Sequence, residues 1–216
     1  MIYIIGIDEA GRGPLAGPIT LSAFLAPQNL RSKLIKILGG KIKDSKQFSP
    51  KRRKEIYKEF LKLRKNPTSL KLRGTRKINF KVSHISNKII DKKGISYATG
   101  LGIKRCLKKL QHTLQNSKGT FDTFNIKLDG LLKAPKEFKN QKTIIGGDSK
   151  DIFIACASIV AKVRRDRLMC RLGGKFPLYM FPIHKGYGTK LHYSLLLKHG
   201  LSEIHRKSFC KKLSQT

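Results

Sequence analysis

The sequence predicts an α/β protein: a sheet flanked by helices, ending in a helical C-terminal part. Three observations lead there. Residues 2–7 (IYIIGI) are continuously apolar, as in a strand buried on both faces. A second strand-like run, 18–26 (PITLSAFLA), follows a glycine-rich turn. Beyond it, short strand-like runs mix with stretches of helical spacing, the pattern of a sheet covered by helices. The 216 residues, 39% of them hydrophobic, suffice for one domain with a real core. Neither internal repeats nor a long low-complexity linker interrupts them.

The remaining elements follow in order. Ser49-Pro50 sets a capping hydroxyl before a proline at the first helical position, so KRRKEIYKEFLKL (51–63) reads as a helix. Ile56, Phe60 and Leu63 form its apolar stripe. Residues 77–85 (KINFKVSHI) alternate as a strand does. Residues 95–110 have helical spacing, weakened by Gly100 and Gly102. Residues 123–128 and 142–145 read as short strands, and residues 151–170 as a helix. After Phe176 the chain is loop-rich until a helix at 191–198, with Gly200 as its stop signal.

Charge narrows the partner. Lys and Arg number 47 against 13 acids, a formal net charge of +34. Part of that surplus is open to explanation as codon bias toward lysine, but its sign points to a polyanion, of which nucleic acid is the commonest. Cys106, Cys156, Cys170 and Cys210 form no C-x-x-C pair, so neither a zinc ribbon nor a redox motif is indicated. No apolar run approaches the roughly 18 residues of a membrane helix. The N-terminus has no basic leader or cleavage site, so a soluble cytoplasmic protein with reduced thiols is expected.

Against this basic background, GIDEAGRGPLAGP (6–18) places Asp8 and Glu9 side by side at the end of an apolar run. Neighbouring side chains on a strand face opposite ways, so both reach one site only if the strand ends and bends there. Gly11 and Gly13 supply the bend and let a ligand approach the backbone. A carboxylate pair beside a Gly-Arg-Gly loop suggests divalent metal ions meeting a phosphodiester; the alternative is a turn-capping Asp8 and a solvated Glu9. Asp129 closes FNIKLDG and Asp148 closes TIIGGDS, again at strand ends or strand-to-helix turns. Taken singly, Asp129 reads equally as a plain turn residue and Asp148 as a helix N-cap. Strand ends in an open α/β sheet gather at one edge. Four carboxylates there would repel one another without hard divalent cations, Mg²⁺ or Mn²⁺, and two such ions serve in-line phosphodiester cleavage.

With these motifs in view, the chain resembles ribonuclease HII, the type 2 ribonuclease H family. The resemblance rests on GIDEAGRGPLAGP (6–18), KDSKQFSPKRR (43–53), LDG (128–130), GGDSKDIFIACASIVAKVRRDRLM (146–169), HKGYGT (184–189) and HRKSF (205–209). It implies a ribonuclease H-like mixed five-stranded sheet flanked by helices, with a helical C-terminal extension. The expected division is a catalytic domain at 1–170 and an extension at 171–216, packed as one structural unit and acting as a monomer. The extra N-terminal domain of ribonuclease HIII is not expected. The implied activity is endonucleolytic hydrolysis of RNA in RNA–DNA hybrids, and incision 5′ of ribonucleotides embedded in duplex DNA, leaving 3′-OH and 5′-phosphate ends. Another metal-dependent nuclease on the same fold, or a noncatalytic hybrid-binding protein, remain alternatives.

By the same resemblance, Asp8, Glu9, Asp129 and Asp148 match the catalytic metal ligands, which would hold Mg²⁺ or Mn²⁺. Gly11, Arg12 and Gly13 match the loop whose backbone reads a ribose 2′-OH, a group suited to discriminating RNA from DNA. Tyr187 matches the tyrosine that stacks on the following sugar; its bland reading is a half-buried core residue. Lys46, Ser158 and Lys162 match positions near the phosphate backbone, against ordinary solvated roles for the lysines. His184, His192 and His205 are expected to hydrogen-bond structurally, and Arg165-Asp166 to form a local ion pair. The terminal KKLSQT shows no clear sliding-clamp motif.

Overall fold

A computed structural model describes residues 2–42, 44–65, 78–114 and 124–211. Five strands form one sheet: β1 (Tyr3–Ala10), β2 (Ile19–Pro27), β3 (Asn79–Ile85), β4 (Phe124–Asp129) and β5 (Gln141–Ile144), in the order β3-β2-β1-β4-β5. Strand β2 runs antiparallel to both β1 and β3, while β4 and β5 are parallel to β1 and to each other. The sheet is therefore mixed, with β1 at its centre. Lys77 and Thr123, the first residues of two expected strands, and residues 212–216 of the C-terminal tail lie outside the described residues.

The helices are α1 (Arg31–Ile37), α2 (Pro50–Lys65), α3 (Asn87–Lys93), α4 (Ile95–Leu114), α5 (Gly147–Lys150), α6 (Ile152–Lys175), α7 (Phe181–His184) and α8 (Lys190–His199). Strand alternation assigns the two faces of the sheet. Ile4, Phe24 and Ala26 pack against α1, α2 and α6. Ile5, Ile7, Leu21, Ala23 and Leu25 pack against α4 through Ala98, Ile103, Cys106, Leu107 and Leu110. Burial on both faces is why the first residues of β1 read as an unbroken apolar run, and β2 is buried throughout as well. A third cluster, with Leu15, Ala16, Met169, Tyr179, Phe181 and Leu196, ties the loop after β1 to the end of α6 and the C-terminal segment.

The helix at Pro50 begins as its capping signal requires: the Arg52 amide donates to Ser49 Oγ at 3.1 Å. Ile56, Phe60 and Leu63 are buried as expected, joined by Tyr57 and Arg53. Helix α6 starts at Asp151, whose carboxylate accepts from the amides of Phe153 (2.9 Å) and Ile154 (3.3 Å). It lies so close on β1 that a Cβ on Gly6 would sit 2.1 Å from the Phe153 carbonyl carbon. That approach aligns Ser158 and Lys162, one turn apart on α6, with the C-terminal end of β1.

Several expectations are corrected. Strand β1 does not end before Asp8; it pairs with β2 through Ala10↔Thr20. Helices α1 and α3 were not foreseen; both are only seven residues long, too short for a clear periodic signal. The expected helix at 151–170 is preceded by the separate turn α5 and runs on to Lys175.

Candidate active site

The register explains how adjacent residues of a continuing strand share a site. Pairing of β1 with β4 stops at Ile7↔Leu128, so the last residues of β1 overhang the end of β4. Asp8 faces α6, the same face as Asp129 at the end of β4. Glu9 stands at the edge left open by β4, and both carboxylates line one cleft. No bend at Gly11 is needed.

This cleft has a volume of about 420 Å³. It brings together Asp8, Glu9, Asp129 and Asp148 with Gly11, Arg12, Gly13, Lys46, Ser158, Lys162 and Tyr187. Every site residue singled out in the sequence lies on its wall.

The carboxylates are poorly compensated. Asp8 is only 5% exposed. Burial pushes its carboxyl well above the usual range, and Glu9 and Asp129 push it further; the Ser158 hydroxyl and the Glu9 amide, at 2.7 Å, oppose this. Burial also raises Glu9, against Arg12, whose guanidinium stands 3.8 Å away. Glu9 Oε2 is buried with no hydrogen-bond partner. Asp129 accepts the Gly147 amide at 2.7 Å. Asp148, in the first turn of α5, is raised to about 6 by burial and by Asp44 and Asp129, with Lys46 opposing.

Among the described residues, no group of three or more metal-ligating side chains is already drawn into a metal cage. The donor set nevertheless fits hard divalent ions: it is all oxygen, and one buried oxygen has no partner. The helix-capping role considered for Asp148 belongs instead to Asp151, whose other oxygen also takes Lys127 at 2.6 Å.

The opposite wall is formed by the loop after β1 and by the segment around Tyr187. Gly11 has φ +90°, and a Cβ there would lie 1.9 Å from Arg165 Nε. Around Gly13 there is open space. The Arg12 side chain is 52% exposed. Tyr187 is 39% exposed, with Lys162 Nζ 5.3 Å and Arg165 Cζ 5.5 Å from its ring centroid. Lys162 also pairs with Asp166 at 3.0 Å. The expected Arg165-Asp166 pair is thus not formed. Arg165 is fully buried and donates to the carbonyls of Pro18 (3.1 Å), Lys185 (3.0 Å) and Ala16 (3.2 Å).

Three histidines support the Tyr187 segment. The Gly186 amide donates to His184 Nδ1 at 3.2 Å, and His192 Nδ1 lies 2.9 Å from the Tyr187 carbonyl. His184 stacks on His192 at 4.1 Å, and His192 Nε2 meets His205 Nε2 at 3.0 Å. Burial lowers all three, His192 and His205 to about 4. All three make hydrogen bonds to the backbone or to one another, as the structural reading of them expects.

Three contributors escaped the sequence reading. Ser45 lines the cleft, and its Oγ lies 2.8 Å from Ser158 Oγ, within hydrogen-bonding distance. Asp44 caps the turn bearing Lys46, accepting its amide at 2.9 Å, and faces Asp148. Arg206 holds the loop after β1 from behind. The signals were Asp-Ser directly before Lys46, and the arginine of HRKSF.

Comparison with known proteins gives one consistent answer. A family model described as ribonuclease HII matches residues 5–212. A ribonuclease HII from Caldicellulosiruptor bescii is 38% identical over 211 residues, covering 98% of this chain and 88% of that protein. Ribonuclease H2 from Pyrococcus horikoshii OT3 superposes with a TM-score of 0.69 at 21% identity, covering 99% of this chain and 98% of the other. Bst-RNase HIII in complex with Mn²⁺ gives 0.65 at 18% identity, covering 92% and 63%. At these identities the structural likenesses speak for the fold, the mixed five-stranded sheet flanked by helices.

Proposed function

The chain belongs to the ribonuclease HII family, and from that premise we propose that it hydrolyses the RNA strand of RNA–DNA hybrids and nicks duplex DNA 5′ of embedded ribonucleotides. The products carry 3′-OH and 5′-phosphate ends. One observation carries the reading: a single cleft joins four carboxylates to the Gly11-Arg12-Gly13 loop and Tyr187.

Asp8, Glu9, Asp129 and Asp148 would hold Mg²⁺ or Mn²⁺. When bound, two such ions supply Lewis acidity to the attacking water and the leaving 3′-oxygen. The chain's own residues do the rest. Gly13 leaves space for a ribose against the backbone of the loop, where a 2′-OH can both donate and accept hydrogen bonds. Tyr187 offers its ring face to the next sugar and excludes bulk there by contact. Ser158, with Ser45 behind it, favours the ionised form of Asp8. Lys46 and Lys162 stand at the cleft to meet phosphates, and the +34 surface holds the duplex without reading sequence. The enzyme acts as a cytoplasmic monomer, with 1–170 and 171–216 forming one unit. The shared cluster of Leu15, Met169, Tyr179 and Phe181 supports that unity. No helix among the described residues is long and apolar enough to cross a membrane.

The test is a nicking assay on a labelled DNA duplex with one ribonucleotide, in Mg²⁺, Mn²⁺ or EDTA, beside an all-DNA duplex and the Asp129→Asn protein. A metal-dependent nick 5′ of the ribonucleotide, lost in Asp129→Asn, is expected. Nicking of the all-DNA duplex would point to a different nuclease. Binding without nicking under either metal would point to a noncatalytic hybrid-binding protein.

A further inference from the structure

Among the described residues, Arg206 and Arg165 are the largest fully buried side chains, and the proposed chemistry uses neither. Arg206 is 0% exposed. Its Nε donates to the Gly17 carbonyl at 2.9 Å, one terminal nitrogen to the Arg12 carbonyl at 2.8 Å, and the other to the Gly11 carbonyl at 2.6 Å. Among the described residues, no carboxylate forms an ion pair with it. A guanidinium withdrawn from water without a paired charge is costly. Here the compensation comes from backbone carbonyls, and two of the three belong to the Gly-Arg-Gly loop. The Arg206 amide adds a bond to the Leu15 carbonyl at 2.7 Å.

The direction of those carbonyls fixes the direction of the amides. In a planar trans peptide, C=O and N–H point opposite ways. The Gly11 carbonyl shares its peptide unit with the Arg12 amide, and the Arg12 carbonyl shares its unit with the Gly13 amide. Drawing both carbonyls inward to Arg206 turns the Arg12 and Gly13 amides away from it. Residues 11–13 line the cleft, and among the described residues neither amide has an acceptor within the protein. Two adjacent outward donors make a concave site suited to an oxygen ligand.

We propose that Arg206 is a positioning residue: it locks the Gly11–Gly13 backbone so that the Arg12 and Gly13 amides present paired donors to a ribose hydroxyl or phosphate oxygen in the cleft. Arg165 braces the same loop farther along, through the Ala16 and Pro18 carbonyls. The ligand named here rests on the ribonuclease reading; the clamp itself does not.

The test compares wild type with Arg206→Lys, which replaces the planar three-way fork by one compact donor group. The first readout is independent of catalysis. Amide order parameters at Arg12 and Gly13 are expected near 0.85 in the wild type and below about 0.6 in the variant, with β1 and β2 unchanged. The second is kcat/KM on the single-ribonucleotide duplex, expected to fall about 100-fold as the loop loses its placement. Affinity for all-DNA duplex should stay within about twofold, since phosphate contacts elsewhere dominate it. Rigid amides in a folded Arg206→Lys overturn the proposal, and so does loosening without loss of kcat/KM. If the wild type does not cut ribonucleotide duplexes, the ribonuclease reading fails while the order parameters still decide the clamp. If Arg206→Lys does not fold, the wild type's own Arg206 decides: slowly exchanging, separately resolved guanidinium protons support the clamp, and one averaged signal overturns it.

Discussion

The two walls of the cleft treat charge in opposite ways. On the sheet side, Asp8 is buried and Glu9 half-buried beside Asp129 with too few donors, and Glu9 Oε2 has none. On the loop side, Arg165 and Arg206 are buried more deeply still, yet each donates to three carbonyls. The histidines behind Tyr187 stay neutral and bond one another and the backbone. The under-satisfied carboxylates wait for something from outside, as do the outward amides of the loop, whereas the saturated arginines behind that loop hold its shape. Burial alone does not separate these roles; the count of internal partners does.

Removing a charge from the acidic wall gives the largest expected effect. Asp8→Asn keeps the shape and deletes the charge that burial and two neighbouring carboxylates disfavour. Cleavage should fall about 1000-fold, as expected when preorganised electrostatics at the reacting centre are lost. The melting temperature of the metal-free protein should rise, at about 2–4 °C for each kcal/mol of strain relieved. A fall in melting temperature would mean that Asp8 holds the fold rather than a metal, and the contrast between the walls would collapse.

The fold and most of the acidic wall were legible in the sequence because both depend on local pattern. The apolar run 2–7 announced a strand buried on both faces, the run 18–26 a second strand beside it, and carboxylates at strand ends announced a shared edge. The reason for that sharing was not legible. It lies in the register of β1 against β4, whose pairing stops at Ile7↔Leu128 and joins segments more than a hundred residues apart. The saturated wall was nearly invisible for the same reason: Arg206 reaches carbonyls 189 to 195 positions away in the chain. A buried arginine bonded to backbone leaves no complementary acid in the sequence, so Arg165 looked like the partner of its neighbour Asp166. Ser45 and Asp44 sat beside a residue already noticed, but nothing local showed that Ser158 would meet Ser45 from across the chain.

A smaller effect tests the saturated wall through pH. His192 and His205 titrate near 4 in the folded protein against an ordinary 6.5. Between those values the unfolded chain takes up protons that the folded one refuses. Their contribution to stability is therefore complete above about 6.5 and is lost as pH falls toward 4. The 3.0 Å contact between the two Nε2 atoms needs one donor and one acceptor, so two protonated rings would break it. The melting temperature should drop by roughly 10 °C between pH 7 and 5 from this source. The measurement is the difference between wild type and His192→Gln at each pH. Subtraction cancels the acidic wall, where Asp148, raised to about 6, contributes with the opposite sign. Parallel profiles would show that the histidines carry no acid sensitivity.

The finest comparison sets two glycines of one loop against each other. Gly11 belongs to the saturated wall: its φ is +90°, and a Cβ placed on it would come within 1.9 Å of Arg165 Nε, so no room is left for a side chain. Arg165 cannot swing aside cheaply, because three carbonyls hold it. Gly11→Ala should therefore cost about 1–3 kcal/mol of stability, with activity falling alongside. Gly13 faces the cleft, has open space around it and no left-handed φ. Gly13→Ala should leave the melting temperature within about 1 °C, since surface changes away from packed features are nearly neutral. Its methyl instead occupies space that a ribose would need, so cleavage should fall about 10-fold through KM, the signature of lost ground-state binding. If Gly13→Ala unfolds the protein while Gly11→Ala does not, the two glycines have exchanged roles, and the wall that binds has been mistaken for the wall that holds.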